Sequence, residues 1–586
     1  METKIKNLTL LGKNDFSKVV GDVLRSLKVS INAEGDTDFD GLEIFNEVIG
    51  NRIVTRLKVT ADGAESYFRK TAIARPDERF GAEVNRLVKK NLYTILVDEC
   101  GLKPVPYGIM NGVRPTKIIQ RWLSEKFGVT SQGIIDRDRI ARRICSDFLA
   151  TRDKADLLTE VALAQLPIIR ASDAKTVSVY VGIPFCKTRC LYCSFPSFVL
   201  PGDDDVAEFM RALTRDIEAA ATAVKRYGFK VQTIYIGGGT PTALPEKFFV
   251  ELLEKVHASF NGVGVAEFTV ECGRPDTITA QKIDVMKNFG VTRVSVNPQT
   301  MQQRTLDTIG RKHTVEDVTQ AFDALRAAGT FRINMDLIVG LPGERLADFK
   351  DSLAKVVALA PDDVTIHALA IKRGSKLQTS LADEINTLED FDLPDDAEVR
   401  KMAEHADKIL RGEKFVPYYL YRQGYSGGQI ENVGWCRKGA EGIYNVQIMG
   451  EQQTILGVGA AASTKVPDPV NKKIQTAFNA KDLPTYLRDI ERYIAQREEI
   501  LAMVYEPVAP VDPETVAPAE PETIAPVEPE TVAPAELKTV VPVEPETVAP
   551  VEPETVAPAE PETVKKKKRP SKKRLKSEEA IDKCHT

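Results

Sequence analysis

The chain has 586 residues, of which 43% are hydrophobic and 28% charged, and a formal net charge of −5. It is long enough to bury a large core and to form more than one domain, and its charge singles out no polyanionic or membrane partner. Five of its eight cysteines (Cys100, Cys145, Cys272, Cys436 and Cys584) are scattered without a disulfide framework, and no run approaches the ~20 apolar residues of a spanning helix.

The N-terminus METKIKNLTLLGKNDF lacks the continuous apolar core of a signal peptide, so a cytoplasmic protein without a transmembrane segment is expected. Residues 1–165 read as an N-terminal α/β domain. RIVTRLKVTAD alternates like a half-buried strand, and RFGAEVNRLVKKNLYTILVDECG reads as a helix stopped by glycine. In GIMNGVRPTK (108–117), Arg114 and Lys117 either contact an anionic substrate or belong to a solvated loop capping a helix.

Residues 166–375 repeat one grammar. β-Branched runs at 177–185, 233–241, 268–275, 293–299, 333–342 and 363–370 alternate with amphipathic helices such as VEDVTQAFDALRAAG. Strand–helix alternation with short connections implies parallel strands and right-handed crossovers, here an α/β fold of the partial (β/α)6 barrel type. Residues 376–505 read as an α+β extension covering the substrate. Within it, 417–466 is rich in glycine, aromatics and strand formers, which predicts antiparallel pairing and a glycine turn at Gly457 and Gly459. LPTYLRDIERYIAQREEILAMVY then closes the folded part as a helix.

From 506 to 564 a PxxPETVA pattern recurs every eight residues, a composition that cannot form a packed core. It predicts a disordered acidic spacer. The run KKKKRPSKKRLK opens the basic tail at 565–586, where anionic lipid, nucleic acid or an acidic partner could bind, or where the charge is simply solvated.

Chemistry concentrates where the barrel strands end, which is where barrel active sites are built. Cys186, Cys190 and Cys193, spaced C-x3-C-x2-C, follow the first strand. A structural zinc site would need a second knuckle, and the ferredoxin spacing differs. Three thiolates on a [4Fe–4S] cluster leave one iron open to a small molecule, and the spacing resembles that of radical S-adenosylmethionine (SAM) enzymes. Gly237-Gly238-Gly239-Thr240-Pro241 closes the second strand with backbone that a ligand amino group can reach. Glu271, Gln299, Asp336 and His367-Ala368 mark the next four strands. Glu271 and Asp336 can accept hydrogen bonds from a ribose or ammonium group, and Gln299 and Arg311 can address the ribose and the methionine carboxylate. Strand alternation puts Ser295, Asn297 and Gln299 on one face, likewise Asn334 and Asp336, and turns Cys272 toward the helices.

Together YVGIPFCKTRCLYC, GGGTPT, VNPQTM, IGRKHT, NMDLIVGLPGE, PYYLYRQ and the ENVGW, YNVQIM and TILGVGA segments resemble the oxygen-independent coproporphyrinogen III oxidase (dehydrogenase) family, in particular its HemZ-type branch. The resemblance spans about 1–505. It implies a [4Fe–4S] cluster on the three cysteines and SAM contacts from Tyr180, Tyr192, Gly238, Gly239, Thr240, Glu271, Gln299, Arg311, Asp336 and Ala368. It further implies oxidative decarboxylation of two propionates of coproporphyrinogen III, with an electron donor and an electron acceptor that the sequence does not identify. For the four substrate carboxylates, Arg422, Lys372, Arg373, Arg437 and Lys438 are candidate grips by position. One residue departs from the pattern: Phe195 stands where dehydrogenases of the family carry a fourth cysteine. A sister branch that also lacks that cysteine resembles haem chaperones, so a haem-binding transfer protein is the alternative, with SAM chemistry on another substrate as a third.

Overall fold

The computed structural model describes residues 3–508 apart from 13–14, 32–36, 76–78, 263, 373, 383–390 and 425. Beyond its first three residues, the 506–564 spacer lies outside the described residues, as does the basic tail at 565–586 with its candidate partners. Among the described residues no helix is long and apolar enough to cross a membrane.

The N-terminal part is a five-stranded mixed sheet of β1 (Thr3–Leu11), β2 (Val29–Ile31), β3 (Phe39–Ile49), β4 (Arg52–Ala61) and β5 (Ala64–Ile73), in the order β2-β1-β3-β4-β5. The segment RIVTRLKVTAD is β4 as expected. The helix Phe80–Thr94 packs on the sheet through Val84, Leu87 and Val88 and continues as a π-helical turn, Ile95–Glu99, that ends before Gly101 at φ +75°.

The larger sheet has eleven strands. It is built on β6 (Thr176–Ile183), followed in chain order by β9 (Lys230–Gly238), β10 (Glu267–Glu271), β11 (Arg293–Ser295), β12 (Arg332–Val339) and β13 (Asp363–Ala368), all parallel. Two-residue strands β7 (Phe185–Cys186) and β8 (Phe198–Val199) close the cysteine loop on itself. Helices such as Asp203–Arg226, Glu246–Phe260 and Leu346–Ala358 cover the outer face, burying Phe249, Leu252 and Leu253 with Ile234, Ile236 and Val270 of the strands. Strands buried on both faces explain the near-continuous β-branched runs of the sequence.

The chain beyond the barrel supplies both edges of this sheet. On one side β15 (Glu431–Cys436) adds antiparallel to β13, and β14 (Val416–Arg422) antiparallel to β15; on the other, β16 (Thr454–Gly459) adds parallel to β6, followed by β17 (Ser463–Asp468) and β18 (Lys473–Phe478). This corrects the expected glycine turn. Gly457 lies inside β16 opposite Tyr180, and the chain turns only after Gly459.

Inside the sheet's curve the side chains stack in polar layers. The lowest is charged. Arg293, 3% exposed, pairs with Glu267 at 3.1 Å and with Asp363, and donates to the Ala440 carbonyl at 2.6 Å. Glu267 also accepts the Ile443 and Tyr444 amides at 2.9 and 3.0 Å, capping the helix Ile443–Gly450. Burial works to lower the Arg293 pKa, but the Asp363 and Glu267 carboxylates outweigh it and raise it. Replacing Arg293 with Met leaves both carboxylates buried without their counter-charge, and is expected to lower the unfolding free energy by about 3–5 kcal/mol. A urea midpoint unchanged from wild type would show that the layer is not needed for stability.

Candidate active site

The cysteine loop leaves β6 at the C-terminal end of the parallel strands and is clamped from several directions. Leu191 N donates to the Ile309 carbonyl at 3.0 Å, and Thr188 Oγ1 to the Gly310 carbonyl at 3.2 Å. Arg274 Nη2 reaches the Thr188 carbonyl at 2.7 Å, Leu377 N the Leu191 carbonyl at 3.0 Å, and Arg189 the Gly374 carbonyl. The glycine turn after β9 packs directly against the start of this loop. Gly239 N donates to the Ile183 carbonyl at 2.8 Å and Thr240 N to the Phe185 carbonyl at 2.7 Å. A Cβ on Gly239 would lie 2.5 Å from the Phe185 oxygen, and Gly238 has φ +113°, so glycine is required at both. Thr240 Oγ1 sits 3.6 Å from Cys186 Sγ.

Glu271 joins this corner. Its carboxylate accepts from Tyr235 Oη at 2.6 Å and from Gly238 N at 3.1 Å. The Tyr235 ring stacks on Tyr444 at 4.3 Å, and both stack on Tyr180, at 6.0 and 6.2 Å. Burial pushes the Glu271 carboxyl up to about 7, while the bonds from Tyr235 and Gly238 pull it down without prevailing.

Arg311 closes the other side. Its guanidinium donates to the Asn297 and Gly273 carbonyls and lies beside Cys190 and Tyr192. Burial works against a Cys190 thiolate, but the Arg311 and Arg274 charges outweigh it and lower the thiol's pKa. Burial, with the charges of Cys190 and Cys186, raises that of Cys193 against a backbone bond at Phe195. Tyr192 packs among Ile309, Ile338, Leu341 and Leu369.

At the fourth strand β11 is shorter than expected. The chain leaves it after Ser295 and reaches Gln299 at φ +70°, a left-handed conformation unusual for a side-chain-bearing residue. Backbone bonds to Asp336 and Ile338 at 2.9 Å each hold Gln299 there. Asp336 accepts from Asn334 Nδ2 at 2.7 Å and lies 3.4 Å from His367 Nε2, while His367 Nδ1 lies 3.2 Å from Tyr421 Oη. Burial works to raise the Asp336 pKa, but His367 and these hydrogen bonds turn the balance and lower it. Ala368 is buried, its amide bonded to Asn432 Oδ1 at 3.0 Å. Cys272 faces the helices as expected, its Sγ 3.6 Å from Met286 Sδ.

The candidate substrate grips divide. Lys372 is half-buried and close enough to Cys193 to feel its charge. Arg373 lies outside the described residues. Arg422 is at the expected end of the sheet but on the wrong face: Tyr421 points to His367, and Arg422 turns outward, 4.0 Å over the Tyr107 ring and bonded to the Met110 carbonyl. Arg437 and Lys438 are at the wrong end. β15 runs antiparallel to β13, so Cys436 pairs with Asp363 and Arg437 N bonds to the Asp362 carbonyl, away from the cysteine loop. Arg437 caps the Glu413 carbonyl and stacks on Phe415, and Lys438 is exposed. Arg114 and Lys117 spend their charge on Glu451, at 2.5 and 2.7 Å. Sequence reasoning missed Tyr235, Tyr444 and Tyr421. The parity of β9 pointed to Tyr235, whereas Tyr444 and Tyr421 arrive from distant segments.

The donor set suits a cluster with a polar ligand. Among the described residues no trio of His, Cys, Asp or Glu side chains converges as a single ion requires, whereas a cubane puts each thiolate on a different iron. Arg311 Nε, Asn297 Oδ1, Ser295 Oγ and Thr269 Oγ1 are buried without a partner among the described residues, as groups awaiting a polar ligand would be.

Residues 180–356 match the Radical SAM superfamily, whose members use a [4Fe–4S] cluster and SAM. The fold and the strand-end site therefore define a radical SAM protein. Over 406 residues the chain is 36% identical to the oxygen-independent coproporphyrinogen-III oxidase-like protein HemZ of Bacillus subtilis, covering 68% of this chain and 78% of that one. It belongs to the HemZ-like coproporphyrinogen-III oxidase family. The haem chaperone HemW of Bacillus subtilis is 33% identical over 196 residues, 33% of this chain and 51% of its own. The solved structure of coproporphyrinogen III oxidase HemN from Escherichia coli aligns with a TM-score of 0.45 at 21% identity, over 56% of this chain and 72% of that one.

Between the ordinary carboxyl value of 4.5 and about 7, folded Glu271 keeps a proton that the unfolded chain has lost. Its contribution to stability therefore falls as pH rises through that window. Relative to wild type, Glu271→Gln should gain about 3 kcal/mol between about pH 5 and pH 8, read from urea unfolding. A difference independent of pH would exclude this titration.

Proposed function

We propose that the protein is a radical SAM oxidoreductase that converts coproporphyrinogen III to protoporphyrinogen IX without oxygen. At each of two propionates the reaction removes a β-hydrogen atom, carbon dioxide and one electron, leaving a vinyl group. The donor and the acceptor of electrons are separate molecules.

The observation that carries this reading is the meeting of three elements at one end of the sheet: the cysteine loop, the glycine turn, and the carboxylates Glu271 and Asp336. Cys186, Cys190 and Cys193 would hold the cluster, which when bound supplies the electron and open iron for cleaving SAM to a 5′-deoxyadenosyl radical. Tyr180, Gly238, Gly239 and Thr240 bound the region where the methionine amino group would lie. Arg311, with its unpartnered Nε, suits the methionine carboxylate. Glu271, Gln299 and Asp336 are the polar groups for the ribose, with Ala368 and Tyr192 as apolar flanks. Lys372, beside the loop, is the remaining described candidate for a propionate.

The haem-chaperone reading has two supports, the HemW likeness and Phe195 in place of a fourth cysteine. Against it, the strand-end histidine that could serve as an axial ligand is engaged at both ring nitrogens, with Asp336 and Tyr421.

The test is anaerobic reconstitution with iron and sulfide, then reductant, SAM and coproporphyrinogen III, with and without cell extract as acceptor. Protoporphyrinogen is expected with extract, accompanied by 5′-deoxyadenosine, and neither product in Cys190→Ala. Lys372→Ala should raise KM for the porphyrinogen about tenfold. Deoxyadenosine without decarboxylated product would overturn the substrate, and stoichiometric haem uptake without SAM turnover would favour the chaperone.

A further inference from the structure

The N-terminal sheet ends on an edge that no strand among the described residues covers. β5 (Ala64–Ile73) is ten residues long, contains no proline and pairs only with β4, whereas β2 at the other edge has three residues. Free edge strands are commonly short or blunted by proline or a bulge, because a long one is a template for another strand. Most of β5 is exposed, Tyr67 at 70% and Ile73 at 69%.

Pairing with β4 fixes the parity of this edge. Ala74 N donates to the Asn51 carbonyl at 2.8 Å, and the register runs on from Arg52 opposite Ile73 to Ala61 opposite Ala64. Hydrogen-bonded and non-bonded pairs alternate along an antiparallel ladder, so the even-numbered residues of β5 spend their N–H and C=O groups on β4. Glu65, Tyr67, Arg69, Thr71 and Ile73 turn theirs outward. Their side chains share the face of the sheet opposite to the buried Leu57 and Val59.

That outward row is complementary to itself. Glu65 pairs with Lys58 at 2.8 Å and accepts from Tyr67 Oη at 2.6 Å, with lone pairs left for a further donor. The Arg69 side chain has no partner among the described residues. A second β5 laid antiparallel, with Tyr67 opposite Tyr67, sets Glu65 against the partner's Arg69 at two symmetry-related places. Sliding the strands until Arg69 opposes Arg69 would put like charges together instead.

We propose that β5 pairs with β5 of a second copy of this chain, joining two five-stranded sheets edge to edge. Main-chain bonds from the outward residues supply the affinity, and the Glu65–Arg69 pairs set the register. The same surface serves on both copies, so the contact closes as a dimer and leaves no edge for a third. It uses no residue of the cysteine loop and stands whatever the reaction.

The full chain is examined by sedimentation velocity in reducing, low-salt buffer between about 1 and about 100 µM. The wild-type chain is expected to pass from monomer to dimer across that range, as suits a small interface. Thr71→Pro removes an outward N–H that β4 does not use, and Arg69→Glu sets like charges against each other. Each should raise the dissociation constant at least about tenfold. Glu65→Arg combined with Arg69→Glu restores opposite charges and should recover the dimer. Circular dichroism and urea midpoints establish that the variants fold, and Arg69→Glu decides the matter where Thr71→Pro does not. A wild-type chain still monomeric at the highest concentration overturns the proposal. So does a folded Arg69→Glu that dimerises like wild type, or a charge-swapped variant that dimerises no better than Arg69→Glu.

Discussion

The Arg293 guanidinium, held between the buried carboxylates of Glu267 and Asp363, joins β10, β11 and β13 at the closed end of the sheet. A buried charge pair gains little net stability over an apolar substitute, but once three charges are buried each depends on the others. Here the arrangement also decides geometry. Glu267 has one further task, accepting two amides at the start of the helix Ile443–Gly450, and so fixes where that helix enters. Tyr444, the second residue of the helix, then lies against Tyr235 and Tyr180. The aromatic side of the candidate site is thus set from below by an ion network that touches no ligand.

At the opposite end the constraints are of backbone rather than charge. The turn after β9 and the start of the cysteine loop approach within distances that only glycine permits, and Gln299 is held left-handed by two bonds to its neighbouring strand. Such conformations cost about 1–3 kcal/mol each and persist where the surroundings over-determine them. A second buried network makes the far edge equally firm. Asp216, fully buried, binds Arg497 at 2.6 Å, Tyr486 Oη at 3.0 Å and the Gly459 amide at 2.9 Å, tying the last helices and β16 to the helix Asp203–Arg226.

The parallel strands and their polar ends were legible because both signals are local. Strands buried on both faces must be β-branched, and each strand end carries a polar group within a residue or two of its turn. Parity correctly grouped Asn334 with Asp336 and turned Cys272 toward the helices, but β11 ends at Ser295, before the Asn297 and Gln299 that alternation had grouped with it. The same reasoning failed for Arg422, Arg437 and Lys438 because their positions depend on partners far along the chain. Arg437 is misplaced by the direction of β15, and Arg422 by which face of β14 meets His367. Neither the direction nor the face is written within the segment itself. Gly457 misled for a related reason: a glycine inside a strand looks in sequence like one that makes a turn.

The residue that departs from the family pattern can now be given a physical setting. A fourth cysteine at position 195 would be a small, polarisable side chain at the rim of a cavity walled by Tyr180 and Tyr444. Phenylalanine there instead offers an apolar surface, most of it exposed in the absence of a ligand. Exposing such a ring is unfavourable unless something covers it. The cluster-holding cysteines need nothing from this position, because three thiolates already leave the open iron that SAM chemistry requires. What position 195 changes is the wall between the loop and the space behind it. Cys186, Cys190 and Cys193 are all present whatever side chain stands at position 195.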